Sequence, residues 1–370
     1  MKKFFISAGE PSGDAHAARL IRAIKLLDSE IEFIGIGGAR MAEAGMTSLF
    51  PLSEMSVVGI WEVAKKFNFF IHVLNECKSI LNCEKIDAFI PVDYPGFNLK
   101  LASAAKKANI PVLYYIAPQL WAWGKNRAAK LQKNVDLLLT VFPFEQDFFR
   151  QYGINTQFVG HPLLDHIELQ KQFADYNSRD NTIAVFPGSR LQEIHKHSNL
   201  ISASINLLSE QLPDYKIEIA CSESIPKQAY SLFAETQNVE LSYDAHNLMS
   251  RAKAGIVKTG TSNLEAALSG LPITMFYKTS NITYWIGKVL VKSDYISIVN
   301  ILQKRFAVKE FIQHEAKPTL IVNDIINIVG NQDRYTSIQN SYLEIKKMLG
   351  NKGAAENAAK AIMNYLDDSK

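Results

Sequence analysis

Short apolar runs, about four to eight residues long, alternate with stretches of helical periodicity from one end of the chain to the other. In the first half the runs fall at Lys3–Ala8, Glu32–Ile36, Ala88–Val92, Val112–Ile116, Leu137–Val141 and Gln157–Val159. Between them, Ala15–Leu27, Asn98–Ala108, Asn126–Gln132 and Phe144–Tyr152 carry apolar residues at helical spacing. This alternation predicts a parallel sheet covered by helices. Residues 169–181 interrupt it, where Asp175, Asn177, Ser178, Asp180 and Asn181 crowd a polar, aperiodic stretch that reads as a linker. Strands are expected again near Ile183–Phe186, Lys216–Ala220, Val239–Leu241, Ala254–Val257 and Ile273–Phe276. From about Lys317 the chain reads as helical to its end, including Ala354–Tyr365. The expected fold is α/β, with two doubly wound Rossmann-like domains facing across a cleft, residues 1–168 and 169–349.

Two loops of the second half carry candidate chemistry. Phe186-Pro187-Gly188-Ser189-Arg190 and Lys258-Thr259-Gly260-Thr261-Ser262-Asn263-Leu264-Glu265 each follow an apolar, β-branched run and open a helical stretch. A helix N-terminus reached through a glycine-bearing turn presents free N–H groups and partial positive charge, which suits phosphate. Arg190 would meet the phosphate charge, and Glu265 could accept from a ribose diol. Neither loop has the dinucleotide or Walker A spacing, so the pair reads as a nucleotide-sugar site.

Three loops of the first half leave strand ends, where open α/β sheets bind ligands. In Gly9-Glu10-Pro11-Ser12-Gly13-Asp14-Ala15-His16, Ser12 or Asp14 could cap the next helix, whereas Glu10 and His16 suit a ligand. Asp93 follows the apolar strand Ala88–Val92, where a partly desolvated carboxylate suits general-base work, although a turn or capping Asp has the same pattern. The third loop, from Ala117 to Arg127, holds Trp121 and Trp123 beside Lys125 and Arg127, a combination suited either to an amphiphilic anion or sugar phosphate or to roofing the sheet. Along Trp61–Leu74, Val63, Phe67, Phe70, Ile71 and Leu74 form one helical face, and Trp61, Phe69 and Val73 fall largely off it. That surplus beside Lys65 and Lys66 fits a membrane interface or acyl-chain groove as well as a buried helix.

Composition mainly excludes. The chain has 370 residues, 47% apolar and 21% charged, an ordinary globular balance. A formal charge of +3 with no basic block gives no case for nucleic acid. Cys77, Cys83 and Cys221 form no CxxC pair, which argues against a zinc site or disulfide framework and suits a reducing compartment. No run reaches the roughly 18 apolar residues of a spanning helix, and acidic Glu10 and Asp14 end the basic start. A cytoplasmic protein with at most peripheral membrane contact is expected.

The strings taken together closely resemble the lipid A disaccharide synthases. The matching segments are Ser7–Asp14, Gly35-Ile36-Gly37-Gly38-Ala39-Arg40-Met41, Met55–Val63, the Asp93 loop, Trp121-Ala122-Trp123, Phe142-Pro143-Phe144-Glu145 and Phe158-Val159-Gly160-His161-Pro162. In the second half they are Pro187–Arg190, Gly260–Glu265, and Ser293–Ser297 leading into Val299-Asn300-Ile301-Leu302. The resemblance implies an inverting, metal-independent hexosyltransferase of the GT-B type without a cofactor. Its substrates would be UDP-2,3-diacylglucosamine and 2,3-diacylglucosamine 1-phosphate, joined in β-1,6 linkage at the cytoplasmic face of the inner membrane. The second domain would hold UDP through Gly188, Ser189, Arg190, Gly260, Thr261, Ser262 and Glu265, with Tyr295, Asn300 and Gln313 nearby. The first domain, rejoined by a last helix in 350–370, would hold the acceptor. Asp93 would be the base, with His16 in reserve and Arg190 stabilising the leaving diphosphate. Acceptor and acyl chains would meet Glu10, Ser12, Trp121, Trp123, Arg127, Trp61, Val63, Phe67 and Phe70. Family members can carry an acidic residue where this chain has Gly96, so the resemblance leaves the base role here to Asp93 alone. Oligomeric state is left open.

Three other readings compete. An NAD-dependent oxidoreductase needs GxGxxG after the first strand, where this chain has Gly9-Glu10-Pro11-Ser12-Gly13-Asp14. A non-catalytic lipid-binding protein leaves the Arg190 and Glu265 loops without a role. A UDP-sugar epimerase of the same two-domain shape shares the phosphate loops and is the alternative that remains.

Overall fold

The computed structural model describes residues 2–51, 67–121, 127–165, 173–223, 225–233, 238–279 and 294–368. Two compact units form, Met1–Asp165 with Leu349–Lys370, and His166–Met348.

The first unit runs β1 (Lys3–Ala8), α1 (Pro11–Leu27), β2 (Glu32–Gly37), α2 (Ala39–Glu43), β3 (Met46–Pro51), α3 (Phe67–Cys83), β4 (Ala88–Val92), α4 (Pro95–Lys107), β5 (Leu113–Tyr115), α5 (Ala128–Asn134), β6 (Leu137–Thr140), α6 (Pro143–Arg150) and β7 (Thr156–Phe158). Its strands are parallel in the order β3-β2-β1-β4-β5-β6-β7. The central strands are buried along almost their whole length, as a sheet covered on both faces requires, so they read as continuous apolar runs. Pro91 has no N–H to give to the ladder, and β4 meets its neighbour at Phe89↔Val112 and Val92↔Tyr115, on either side of it. The edge strand β3 escapes the apolar-run pattern because Thr47 and Ser48 interrupt it.

The second unit runs β8 (Asp180–Phe186), α7 (Leu191–Gln211), β9 (Lys216–Ala220), β10 (Val239–Ser242), α8 (Ala245–Arg251), β11 (Ala252–Lys258), α9 (Thr261–Leu268), β12 (Ile273–Tyr277), α10 (Ile298–Gln303), β13 (Lys309–Ile312), α11 (Pro318–Gly330) and α12 (Gln332–Met348). The strands are again parallel, in the order β10-β9-β8-β11-β12-β13.

The polar stretch read as a linker is not one over its described part, 173–181. Arg179 is buried there, and its guanidinium donates to the carbonyls of Met249 at 3.0 Å, Ala252 at 2.9 Å and Ser269 at 2.8 Å. Tyr176 donates its hydroxyl to the Val329 carbonyl and sets its ring edge-on to Tyr335 at 5.0 Å. Strand β8 already begins at Asp180. Asp175, Asn177, Ser178, Asp180 and Asn181 are exposed, while Arg179 and Tyr176 between them anchor the stretch to backbone carbonyls of the second unit.

The chain ends in α13 (Ala354–Asp368), which packs on α1 within the first unit through buried Ala354, Ala355, Ala358, Ala359 and Ala361. Alanines let the two helix axes approach closely. The Asn357 side chain donates to the Val159 carbonyl at 3.1 Å, and the Gly353 N–H donates to Asp165 at 2.6 Å. Among the described residues no helix is long and apolar enough to cross a membrane.

Candidate functional site

In each sheet the strand order reverses once, between β1 and β4 in the first unit and between β8 and β11 in the second. Ligands of open α/β sheets bind beyond the carboxyl ends of the strands at such a point. The Gly9–His16 and Asp93 segments follow β1 and β4, and the Pro187–Arg190 and Lys258–Glu265 segments follow β8 and β11. Both pairs of candidate loops therefore flank a switch point.

Helix α1 opens at Pro11, whose fixed φ suits the first helical turn, so Glu10 is its N-cap and Ser12 is exposed in that turn. Neither Ser12 nor Asp14 caps α1, because both lie inside it. Asp14 instead caps α2: its buried carboxylate accepts from the N–H groups of Gly38 at 2.7 Å, Met41 at 3.2 Å and Arg40 at 3.3 Å. His16, half-buried on α1, acts electrostatically on His161. Burial, and then His16, hold the His161 imidazole down at about 3, so it stays neutral and its Nδ1 accepts from the Leu163 N–H at 3.2 Å.

Asp93 and Tyr94 are consecutive non-glycine residues in the left-handed region, with φ of 47° and 51°. Such conformations persist where surroundings over-determine them, and they gather at functional sites. The surroundings here are explicit. The Asp93 carbonyl accepts from the Asn98 side-chain amide and from the Tyr114 hydroxyl, both at 2.7 Å, and the Asp93 N–H donates to the Tyr115 carbonyl at 3.0 Å. Fully buried Asn98 also donates to the carbonyls of Ser7 at 3.2 Å and Val92 at 3.3 Å, tying the ends of β1 and β4 to one amide. The Tyr94 ring lies over Gly9, where any Cβ would stand 2.2 Å from it, so only glycine leaves room. The half-buried Asp93 carboxyl is raised from 3.8 to about 6 by burial and then by Glu10, against a backbone hydrogen bond from Tyr94. It is thus ionised, though reluctantly, near neutral pH, as a general base should be. Asn98→Ala should leave Asp93 present but misaimed, with kcat lower by about ten- to a hundredfold and little change in KM. Steady-state kinetics beside a thermal melt checks this.

Glu145, the last residue of the Phe142–Glu145 motif, is fully buried, and the sequence assigns it no role of its own. Burial raises its carboxyl to about 7, against hydrogen bonds from the Trp121 indole at 3.0 Å and the N–H groups of Phe142 at 3.1 Å and Val141 at 3.2 Å, with the Asp93 charge raising it further. Trp121 is consequently fixed from below, its ring edge-on to Phe144 at 5.0 Å. Arg127 is exposed just before α5. Phe67 opens α3, Phe69 and half-buried Phe70 meet edge-to-face, and Ile71 is 41% exposed. Trp61, Val63 and Trp123 lie outside the described residues.

In the second unit Arg190 is the exposed N-cap of α7, and Gly188 before it has φ +135°. Glu193 reaches back so that Oε2 accepts from the Ser189 N–H at 3.1 Å and Oε1 from Lys258 Nζ at 2.7 Å, which bridges the two loops across the switch point. Burial raises the Glu193 carboxyl, but the Lys258 ammonium and the Ser189 N–H outweigh it and hold the group below its usual range. The Ser189 N–H is accordingly already engaged. Gly260 is the N-cap of α9 with φ +153°, followed by exposed Thr261, half-buried Ser262 and half-buried Glu265. Burial pushes the Glu265 carboxyl up, with His246 pulling it down. Alanine at Gly188 would meet both the unfavourable φ and Glu193 atoms at 2.6 and 2.8 Å. Gly188→Ala should cost about 1–3 kcal/mol of stability, as a thermal melt would show.

Two expected nucleotide contacts are occupied inside the protein. Asn300 is fully buried, its amide donating to the Val308 carbonyl at 2.9 Å and to Glu310 at 2.7 Å while its oxygen accepts from the Val308 N–H at 3.0 Å. Gln313 exchanges both amide ends with the Thr279 backbone, at 2.6 and 3.2 Å. Both support loops at the site. Tyr295 is half-buried, its hydroxyl donating to the Lys304 carbonyl at 3.0 Å. Among the described residues no group of three or more His, Cys, Asp or Glu side chains is placed to hold a metal ion.

Two parallel, doubly wound sheets with paired loops at their switch points define a GT-B protein, the class of nucleotide-sugar enzymes with two Rossmann-like domains. Solved structures agree on that fold. The UDP-GlcNAc 2-epimerase from Neisseria meningitidis bound to UDP-GlcNAc matches with a TM-score of 0.59 at 13% identity, over 100% of both chains. The calicheamicin glycosyltransferase CalG4 matches at 0.61 and 12%, over 99% of this chain and 98% of its own. Within that class the chain belongs to the lipid-A-disaccharide synthetase family, whose model matches residues 4–364. The lipid-A-disaccharide synthase of Trichlorobacter lovleyi is 34% identical over 377 aligned positions, covering 100% of this chain and 98% of the relative. The epimerase alternative is left with a likeness of fold alone.

Proposed function

We propose that this protein transfers 2,3-diacylglucosamine from UDP to the 6-hydroxyl of 2,3-diacylglucosamine 1-phosphate, with inversion, giving a β-1,6-linked tetraacyl disaccharide 1-phosphate and UDP. The observation that carries the chemistry is Asp93, a carboxyl raised to about 6 and set in a left-handed turn at the end of β4. It accepts the proton of the attacking hydroxyl as the new C–O bond forms. The first unit supplies this base, with Glu10 keeping its pKa high and Trp121 and Arg127 toward the acceptor. His16, half-buried on α1, stays in reserve as the base.

The second unit holds UDP. Arg190, with the N–H groups at the starts of α7 and α9, takes up charge developing on the leaving diphosphate. Glu265, desolvated but within reach of water, accepts from the ribose diol. The C–O bond to the diphosphate breaks as the base takes the proton, so charge balances without a metal. The exposed Ile71 and half-buried Phe69 and Phe70 on α3 suit acyl chains or the inner-membrane surface.

The test is to incubate the purified chain in mild detergent with both substrates, with and without EDTA. Disaccharide and UDP formed in equal amounts despite EDTA are expected. UDP binding without product would refute the assigned acceptor chemistry.

A further inference from the structure

His197 on α7 lies with both ring nitrogens against backbone carbonyls, Nδ1 at 3.3 Å from Pro187 and Nε2 at 3.0 Å from Lys278. The residue is 1% exposed, with the Phe276 ring edge-on at 5.2 Å. A neutral imidazole has a single N–H, so it donates to one carbonyl and turns a lone pair on the other; only imidazolium satisfies both. Pro187 begins the Gly188–Arg190 loop, and Lys278 directly follows β12. The ring therefore joins the donor loop to the neighbouring strand end.

Several groups act on this ring. Burial disfavours the charged form and dominates, the two carbonyls favour it, Lys258 at the end of β11 opposes it and Glu193, one turn back on α7, supports it. The sum leaves the imidazole below its usual range, hence neutral near pH 7.5, with one of its two carbonyl contacts unsatisfied. Phosphates bound at the next residues of the same loop would add negative charge and draw on Lys258, both of which favour imidazolium.

We propose that His197 is a positioning residue of the donor site that takes up a proton when a nucleoside diphosphate occupies the Gly188–Arg190 loop, and as imidazolium fastens that loop to the end of β12. This rests on the reading of the second unit as the UDP site. Occupied and empty loops then differ in stiffness as well as in charge, and the nucleotide helps build the site that holds it.

The experiment is calorimetric titration of UDP into the full chain in buffers of different ionisation enthalpy, with the histidine ring protons followed by NMR against pH. The wild type is expected to gain a measurable fraction of a proton per UDP that His197→Gln does not gain. The resonance missing from that variant should titrate at least about one pH unit higher with UDP than without. UDP binding with an unmoved midpoint, or with equal proton counts in both proteins, overturns the coupling and leaves the UDP reading intact. No UDP binding in the wild type overturns that reading and the coupling with it. If the variant does not fold, the wild-type count alone decides, and zero protons gained across buffers refutes the proposal.

Discussion

Asp93→Asn should abolish transfer while making the protein more stable at pH 8. As the proposed general base, Asp93 would contribute about 10²–10⁴ in rate, and asparagine cannot take the proton. The stability change follows from the same environment. Folding raises this carboxyl from 3.8 to about 6, so the folded state holds the proton more tightly than the unfolded one. The associated stability is complete below about pH 4 and is lost as pH rises through about 6. At pH 8 the wild type folds around an ionised carboxylate that burial and Glu10 both disfavour, and asparagine removes that charge. A gain on the order of 1–2 kcal/mol is expected, discounted for partial solvent screening. It should vanish near pH 4. The backbone role is untouched, because Asn98 and Tyr114 grip the carbonyl of residue 93 and not its side chain. In the wild type, kcat/KM should climb to its plateau through about pH 6. Activity within a few-fold of wild type in Asp93→Asn would remove Asp93 from the chemistry.

This combination, an unstable group at the place where it works, bears on what the sequence could reveal. The places of Asp93, Gly188, Arg190 and Gly260 at strand ends were legible because a strand, a turn and a helix start succeed one another locally. The helix starts themselves were misplaced by up to a turn where prolines opened them. Pro11, Pro95 and Pro143 read as loop residues, although the first turn of a helix has no use for their missing N–H. The edge strands β3 and β13 were missed because strands paired on one side alone do not need a continuous apolar run.

The supporting residues were out of reach for a different reason. Asn98 binds a carbonyl 91 positions away, Glu145 an indole 24 away and His197 a carbonyl 81 away, and no local pattern encodes such partners. Asn300 and Gln313 read as ligand contacts because they are polar residues in or beside a motif, and the structure adds partners that no local pattern shows, the Val308 backbone and Glu310 for Asn300 and the Thr279 backbone for Gln313.

Arg190→Ala should lower kcat by about 10²–10³ and leave the melting temperature nearly unchanged. The guanidinium is exposed, so its removal opens no cavity and strands no buried charge. Its consequence is electrostatic. At the neighbouring loop Lys258 is already paired with Glu193 at 2.7 Å, and the Ser189 N–H is given to the same carboxylate. In the proposed UDP site the diphosphate would meet a largely neutralised pair on one side and the Arg190 charge on the other. That charge matters most as the C–O bond breaks, when the leaving group carries more negative charge than in bound UDP-sugar. The loss should consequently fall on kcat more than on UDP affinity. Arg190→Lys keeps the charge but not the two-pronged donor, and should recover only part of the rate. Kinetics with all three side chains, beside UDP calorimetry, separates these expectations. An affinity loss with kcat unchanged would make Arg190 a ground-state anchor and shift the leaving-group role to Lys258.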